Sequence, residues 1–200
     1  MKNLIRSIIE RAPSVANFLR NVRDAQIRNR PFKETPWGFK LSGSDLMANG
    51  TFEPEQTELV RKLLNDSNLF INIGANMGYY CCHALSMGCP VIAFEPFSLN
   101  VHYLMRNIRE NGWAKQAEIF PLAVGPKTGI VNIWGSGTGA SLIKGWDSIS
   151  ENYVTQVPVM SLDRLLGHKI NGRRTLIVVD IEGAEFMMLQ GAKSILRNDP

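Results

Sequence analysis

The chain has 200 residues, 44% of them hydrophobic, which is enough for one globular domain with a sizeable core. No apolar run approaches the roughly 18 residues that a membrane-spanning helix needs, and the first residues lack the pattern of a signal peptide. The net charge of +4 lies in the first 34 residues, where eight Lys and Arg against three Asp and Glu give +5 and leave −1 for the rest. The body of the chain is therefore not basic, and we do not expect it to bind nucleic acid.

Residues 1–49 are predicted to form a basic helical arm followed by lead-in strands. Met1–Ala12 carries apolar residues at helical spacing, and after Pro13 a second apolar face continues. A basic amphipathic arm could touch an anionic membrane surface. The alternative is a helical pair packed on the domain or on a partner subunit, which Glu10 and Asp24 favour because they dilute the basic face.

Alternating strands and helices are predicted beyond this arm. Pro31–Phe52 is rich in turn residues and should hold short strands, whereas Gly135–Trp146 reads as a glycine-rich loop. The predicted strands are Leu69–Ile73, Val91–Phe94, Ala117–Ala123, Gly129–Trp134 and a buried strand Thr175–Ile181. The predicted helices are Glu53–Leu64, Met77–Met87, Leu99–Asn111, a short helix capped by Ser161, and Ala184–Leu196. This alternation predicts an α/β fold with a mostly parallel sheet and helices on both faces.

The most specific motif joins a strand to a helix and then to a second strand. Residues 69–96 read LFINIGANMGYYCCHALSMGCPVIAFEP. Gly74 and Gly78 allow a tight turn and a close approach of the backbone to a ligand, and helix N–H groups point at the same place. Glu95, about 20 residues after the turn, can accept hydrogen bonds from both hydroxyls of a ribose. The motif therefore predicts a cofactor that contains a nucleoside.

The spacing of the turn favours S-adenosylmethionine over a dinucleotide. A dinucleotide fingerprint needs glycine where this chain has Asn76 and Tyr79, because a pyrophosphate must lie against bare backbone. A Walker-type loop is also excluded, since no Gly-Lys-Ser/Thr follows the turn. The alternative is an ordinary strand–helix–strand crossover with a tight turn and no ligand.

Two carboxylates are the candidates for catalysis. Ligands of parallel sheets bind beyond the carboxyl ends of the strands, where Gly74, Glu95, Ala123 and Asp180 are expected to lie. Asp180 and Glu182 are two residues apart and should point to the same side of an extended chain. Such a pair could supply a base for a hydroxyl acceptor, or could bind a metal together with the acceptor. Alternatively, acidic residues at this point only stabilise the start of the next helix.

The cysteines and histidines indicate neither a metal site nor a redox site. Cys81, Cys82 and Cys89 form no Cys-x-x-Cys pair and have no metal-ligand spacing to histidine. We expect reduced, packed thiols in a cytoplasmic protein.

Four blocks of sequence resemble the FkbM-type S-adenosylmethionine-dependent methyltransferases. They are GTFEPEQ at 50–56, INIGANMGYY at 71–80, VIAFEPFSLNVHYLMRNIRENG at 91–112 and VVDIEGAEFMMLQGA at 178–192. The resemblance implies a Rossmann-like methyltransferase domain over residues 50–200, which contains the candidate catalytic residues Asp180 and Glu182. It also implies O-methylation of a sugar, a glycan or a natural product. The cofactor-binding residues predicted from the motif and the resemblance together are Asn72, Gly74, Ala75, Asn76, Gly78, Tyr79, Glu95, Pro96, Phe97 and Ala123.

The chain departs from the family pattern at two positions. The family usually has Asp at the position of Asn72 and often Lys at the position of Val178. Asn72 keeps an acceptor oxygen without the charge, and Val178 removes a cation beside Asp180. The chain also ends directly after a helix, where the family adds strands, so we expect the C-terminal strands of the sheet to be missing. These features favour an alternative function, a non-catalytic or degenerate domain that binds a nucleoside without turnover.

Overall fold

The structure, a computed structural model, describes residues 29–134, 154–167 and 169–197. Three predictions lie outside these residues: the two helices of the N-terminal arm, the glycine-rich loop that begins at residue 135, and the last three residues of the chain.

The described residues form nine strands and seven α-helices. The strands are β1 (Lys33–Glu34), β2 (Lys40–Leu41), β3 (Leu69–Ile73), β4 (Val91–Phe94), β5 (Ala117–Phe120), β6 (Ala123–Val124), β7 (Gly129–Trp134), β8 (Val154–Met160) and β9 (Thr175–Val179). The helices are α1 (Asp45–Ala48), α2 (Pro54–Leu64), α3 (Tyr79–Ser86), α4 (Ser98–Glu110), α5 (Leu162–Leu166), α6 (Glu185–Gln190) and α7 (Lys193–Arg197).

A four-stranded parallel sheet with the order β5-β4-β3-β9 forms the centre of the fold. The chain builds outward from β3 to β4 and β5, and later adds β9 on the opposite side of β3. The strand order therefore reverses between β3 and β9. In open α/β sheets this is the point at which a crevice opens beyond the carboxyl ends of the strands.

Helices cover both faces of the central sheet. On one face, Phe70, Val91 and Ala93 pack against apolar residues of α2, α3 and α4. On the other face, Ile71, Ile73 and Phe94 pack against α5, α6 and α7. The alternation of side chains along each strand produces these two layers. The predicted Rossmann-like α/β fold is therefore confirmed.

Three segments differ from the prediction for reasons of tertiary structure. The predicted strand Ala117–Ala123 is two strands, because β6 leaves the central sheet and joins β7 and β8 in a second sheet. Strand β8 was not predicted; its only fully buried side chains are Val157 and Val159, so its apolar pattern is short. The predicted helix Ala184–Leu196 is broken at Gly191, where a Cβ atom would lie 2.1 Å from the carbonyl oxygen of Gly125.

Strand β9 was predicted to be buried and to reach Ile181, but it ends at Val179 and is only half-buried along its length. Among the described strands it lies at an edge of the central sheet, where it has a neighbour on one side only. Asp180 and Glu182 therefore lie on the loop that follows the strand.

Candidate functional site

A narrow cleft of about 60 Å³ lies at the carboxyl ends of the central strands. Its walls come from the loops that follow β3, β4 and β9, and from the second sheet. Eight of the predicted site residues line it: Gly74, Asn76, Glu95, Pro96, Phe97, Ala123, Asp180 and Glu182. The structure thus brings together residues that are up to 108 positions apart in the chain, from Gly74 to Glu182.

Glu95 is the most constrained side chain of this cleft. It follows β4 and is only 4% exposed. The backbone N–H of Asn76 donates to its Oε2 at 2.8 Å, and the N–H of Phe97 donates to its Oε1 at 2.9 Å. Asn100 Nδ2 donates to the same Oε1 at 3.2 Å. Burial raises the pKa of this carboxyl, and the three hydrogen bonds partly oppose that shift.

The three hydrogen bonds limit what else Glu95 can accept. A carboxylate offers about four lone-pair positions, and two donors already meet Oε1 while one meets Oε2. The best remaining position is therefore on Oε2. Contact between Glu95 and a ribose stays a prediction, and Oε2 offers such a contact one strong acceptor position.

Asn100 was missed by the sequence analysis. It is buried on α4 between the strand end and the helix core. The one available signal was an amide at an otherwise apolar position of an amphipathic helix, five residues after the predicted ribose-binding acid.

The two glycines of the turn serve the packing of the protein itself. At Gly74, which has a φ of +82°, a Cβ atom would lie 1.9 Å from the carbonyl oxygen of Asp180. At Gly78, with a φ of +87°, a Cβ atom would lie 2.5 Å from Cδ1 of Leu104. Gly74 thus lets two strand-end loops touch, and Gly78 lets α3 approach α4. The close approach of this turn to a ligand stays a prediction.

Four predicted cofactor residues do not line the cleft. Ala75 and Gly78 are buried in the turn, and Asn72 is buried within β3. The ring of Tyr79 packs against Phe52 and His83, and its hydroxyl lies 3.1 Å from Oγ1 of Thr57. Because Tyr79 is turned into the core, it cannot stack on an adenine in this cleft; Phe97, which lines the cleft, can.

Ala123 lines the cleft as predicted, but from a different element. It begins β6 of the second sheet and does not end a strand of the central sheet. Leu122 and Ile133 stand beside it and were not identified from the sequence. Together they make one wall of the cleft apolar.

Asp180 and Glu182 make a second part of the cleft lining acidic. Partial removal from water raises the pKa of Asp180, and the nearby carboxylates of Glu182, Glu53 and Glu185 raise it further. Glu182 adopts a left-handed backbone conformation with a φ of +51°. Glu185 accepts a hydrogen bond from the N–H of Gly183 at 3.2 Å at the start of α6, as the alternative interpretation of the acidic residues expected.

Glu53 is a further acidic residue that the sequence analysis did not select. It precedes α2 with a φ of +42°, and the hydroxyl of Tyr80 donates to its Oε2 at 2.6 Å. Only the tertiary structure brings it near Asp180.

Within the described residues, no group of three or more His, Cys, Asp or Glu side chains is arranged to hold a metal ion. None of the described helices combines the length and the apolar character that crossing a membrane requires.

The model of the family described as "Methyltransferase FkbM domain" matches residues 72–200, which is more than half of the chain. No curated protein sequence matches the chain significantly. Among solved structures, the chain is similar to methyltransferase FkbM from Methylobacillus flagellatus KT, with 20% identity and a TM-score of 0.47 over 92% of this chain and 48% of that one. It is also similar to an O-methyltransferase family protein from Burkholderia thailandensis, with 12% identity and a TM-score of 0.31 over 36% of this chain and 23% of that one. The chain spans about half or less of the length of these proteins.

Proposed function

The chain belongs to the FkbM methyltransferase family, and on that premise we propose that it transfers a methyl group from S-adenosyl-L-methionine to a hydroxyl group of a sugar, a glycan or a natural product. The observation that carries the proposal is the buried carboxylate of Glu95, fixed beside the turn at Gly74 and facing an apolar wall.

The side chains of the cleft suit the proposed cofactor. Glu95 offers an acceptor to a ribose hydroxyl through Oε2, while Phe97 and Ile133 offer apolar contacts to an aromatic base. Asn76, at a position where a dinucleotide fingerprint needs glycine, lines the cleft with a side chain, which disfavours a dinucleotide. When bound, S-adenosylmethionine supplies a methyl group on a sulfonium, which is activated for displacement.

We assign Asp180 to the acceptor hydroxyl. Methyl transfer depends mainly on positioning, with a base required when the acceptor is a hydroxyl. Asp180 lines the cleft, and its raised pKa makes it a stronger base than an ordinary carboxylate. Glu182, on the same loop, would contribute in two ways. Its carboxylate raises the pKa of Asp180 by like-charge repulsion, and it would hold the acceptor.

The proposal extends to location and partners. The three free cysteines are all buried, which supports a reducing, cytoplasmic environment. We propose a small-molecule or glycan acceptor and no nucleic acid, since the chain beyond residue 34 carries a net charge of −1. The basic arm could add a peripheral contact with an anionic membrane.

The alternative function is a nucleoside-binding domain without turnover. Asn72 and Val178 favour it, because both positions lack the charges that the family usually has. Binding of cofactor would be common to both functions, so only turnover separates them.

Calorimetric titration of the full chain with S-adenosylmethionine tests the cofactor directly, with NAD as the competing ligand. We expect binding of S-adenosylmethionine and not of NAD.

Glu95→Ala should weaken the affinity for S-adenosylmethionine tenfold or more, because a hydrogen bond to a charged group contributes about 1.5–3 kcal/mol. Glu118→Ala is the matched control: this carboxylate is exposed on β5 and pairs with Lys169, away from the cleft. Equal affinities of the two variants would refute the assignment of Glu95.

A further inference from the structure

A larger cavity, of about 650 Å³, adjoins the narrow cleft. The two spaces share Asn76, Asp180 and Glu182. The far wall of the larger cavity is formed by residues that the proposed function has not used, which are Gly43 to Met47, Phe52, Glu53, Met77, Tyr103 and Arg30. The volume lies within the range of sites that bind small molecules.

Tyr103 lines this cavity and has an unsatisfied hydroxyl. The side chain is 1% exposed, and its oxygen has no hydrogen-bond partner in the part of the chain that the structure describes. The side-chain oxygen of Asn76, at the boundary of the two spaces, is likewise buried without a partner there. Burying a polar group without a hydrogen bond is unfavourable. These two groups on one cavity can form hydrogen bonds with a ligand.

The charged groups of the cavity define the chemistry of that ligand. Glu53, Asp180 and Glu182 all line it, and their carboxylates can only accept hydrogen bonds when ionised. Asp45 is paired with Lys33 at 2.8 Å, Glu53 accepts from Tyr80 through Oε2 only, and the cationic Arg30 donates to the carbonyl of Gly43 at 3.0 Å. Carboxylates outnumber the cation on this wall, so the wall is rich in acceptors, suits a ligand with several donors and disfavours an anion.

We propose that this cavity binds the methyl acceptor, and that the acceptor is a hydroxyl-rich compound without negative charge. Tyr103, Asn76 and Glu53 act as positioning residues that hold its hydroxyls. Because the cavity shares Asp180 with the cleft, one hydroxyl of a ligand bound there lies beside the proposed base. That the ligand is the methyl acceptor rests on the proposed function, whereas the class of ligand is argued from the cavity alone.

Binding to the full chain without cofactor tests the ligand class. Saturation-transfer NMR would use the methyl glycosides of glucose, galactose and mannose as neutral polyols. Methyl glucuronide would serve as the anionic counterpart, and cyclohexanol as an alcohol with one hydroxyl. We expect at least one neutral glycoside to bind, and glucuronide and cyclohexanol to bind at least tenfold more weakly. Absence of binding by all three glycosides, or equal binding of glucuronide, would overturn the proposal.

Tyr103→Phe tests the site, since it removes only the unsatisfied hydroxyl. The affinity for the glycoside should fall about two- to tenfold, while the melting temperature stays equal or rises because no internal hydrogen bond is lost. Tyr79→Phe is the matched control: its hydroxyl is bonded to Thr57 outside the cavity, so its melting temperature should fall and glycoside binding should not change. An unchanged glycoside affinity in Tyr103→Phe would overturn the site.

Glu53→Gln separates an acceptor role from a cofactor role. The Gln oxygen can still accept from Tyr80, so the fold should be retained. We expect weaker glycoside binding, with the affinity for S-adenosylmethionine within twofold of the parent. A loss of affinity confined to S-adenosylmethionine would assign Glu53 to the cofactor and contradict its positioning role.

Binding by the parent protein separates the two proposals. If the parent binds glycoside but not S-adenosylmethionine, the proposed function fails and the cavity is not an acceptor site. If the parent binds only S-adenosylmethionine, the cavity proposal alone fails.

Discussion

Three donors hold the carboxylate of Glu95 in one orientation, although burial opposes its charge. Two of the donors are backbone N–H groups of the turn and of the strand end, so the position of the acid follows directly from the fold. A side chain fixed in this way can recognise a ligand with little loss of conformational entropy.

The raised pKa of Glu95 predicts that cofactor affinity depends on pH. An ionised carboxylate accepts stronger hydrogen bonds than a protonated one, so the affinity for S-adenosylmethionine should fall as the pH is lowered from 7 through this pKa. Stability should change in the opposite direction: a raised folded-state pKa stabilises the fold at low pH, and that contribution is lost as the pH rises through it. Calorimetry over this range should show the decline in affinity for the parent and a flatter profile for Glu95→Gln. Parallel profiles would contradict the role of Glu95.

Asp180→Asn is predicted to separate turnover from binding. If Asp180 takes the proton of the acceptor hydroxyl, kcat should fall about 10²–10⁴-fold, while the affinity for S-adenosylmethionine stays within a few-fold. Formation of S-adenosylhomocysteine, with a glycoside that binds the larger cavity as acceptor, measures the rate. The rate of the parent should rise with pH through the raised pKa of Asp180 and then level off. Equal losses in binding and rate would make Asp180 a cofactor ligand, and an unchanged rate would leave it as part of the scaffold.

Gly74 and Gly88 allow a clean test of the close contact in the turn. Both have a positive φ, of +82° and +79°, but only at Gly74 does a Cβ atom meet the carbonyl oxygen of Asp180. Gly88→Ala should cost about 1 kcal/mol of unfolding free energy from backbone strain alone. Gly74→Ala should cost considerably more, because the collision adds to the strain. Chemical denaturation measures both, and equal costs would mean that the two loops move apart without penalty.

At the scale of the elements, the sequence predicted best where the local signal and the tertiary structure agree. Strands β3 and β4 are continuous apolar runs in the middle of a parallel sheet, and their limits were predicted without error. Strand β8 and the break at Gly191 were missed, because they depend on a second sheet and on contact with Gly125.

The residues of the candidate site likewise divide into those that a local sequence signal places and those that only the tertiary structure places. Gly74, Glu95 and Asp180 follow strands, so the topology alone places them at one edge. Tyr79 packs in the core and does not line the cleft, which the motif could not predict because it does not reveal which way a helical side chain faces. Glu53 and Tyr103 could not be found from local patterns, since they reach the cavity from segments on either side of the motif.

The register of β3 and β9 gives the two departures from the family pattern a common cause. Asn72 and Val178 are direct partners in the parallel pair, on the face that also carries Cys81. The Oδ1 of Asn72 accepts from the thiol of Cys81 at 3.5 Å, in a position 2% exposed. The charges that the family usually has at these positions would therefore be neighbours, and this chain lacks both. Because this chain lacks both charged residues, neither position leaves a buried charge without a partner, so the fold tolerates the two departures together.

A double-mutant cycle tests this pairing. Asn72→Asp alone should destabilise the fold by several kcal/mol, because it buries a carboxylate whose partner is only a thiol. Val178→Lys alone should also destabilise it. The double variant should be more stable than the sum of the single changes predicts, by about 0.5–3 kcal/mol. Additive changes in unfolding free energy would mean that the two positions are independent, and tighter cofactor binding by Asn72→Asp would show that its charge reaches the cleft.

At the scale of the whole molecule, the cleft joins two sheets. Gly74, Glu95 and Asp180 belong to the edge of the central sheet, whereas Ala123 and Ile133 belong to the second sheet. A ligand in the cleft would contact both, and its binding free energy would add to the stability of the folded state and not to that of the unfolded chain.

Thermal unfolding should therefore report cofactor binding by the whole chain. At a concentration of S-adenosylmethionine 100 times its Kd, binding stabilises the folded state by about 2.7 kcal/mol, which for a chain of this length raises Tm by roughly 5–10 °C. NAD should produce no such shift, because the turn carries Asn76 where a dinucleotide fingerprint needs glycine. Glu95→Ala should lose most of the shift at the same ligand concentration, whereas Glu118→Ala should keep it. A shift of equal size with NAD would contradict the exclusion of dinucleotides. A shift retained in Glu95→Ala would mean that S-adenosylmethionine binds outside the cleft, since no other described carboxylate is held by both the turn after β3 and the strand end after β4.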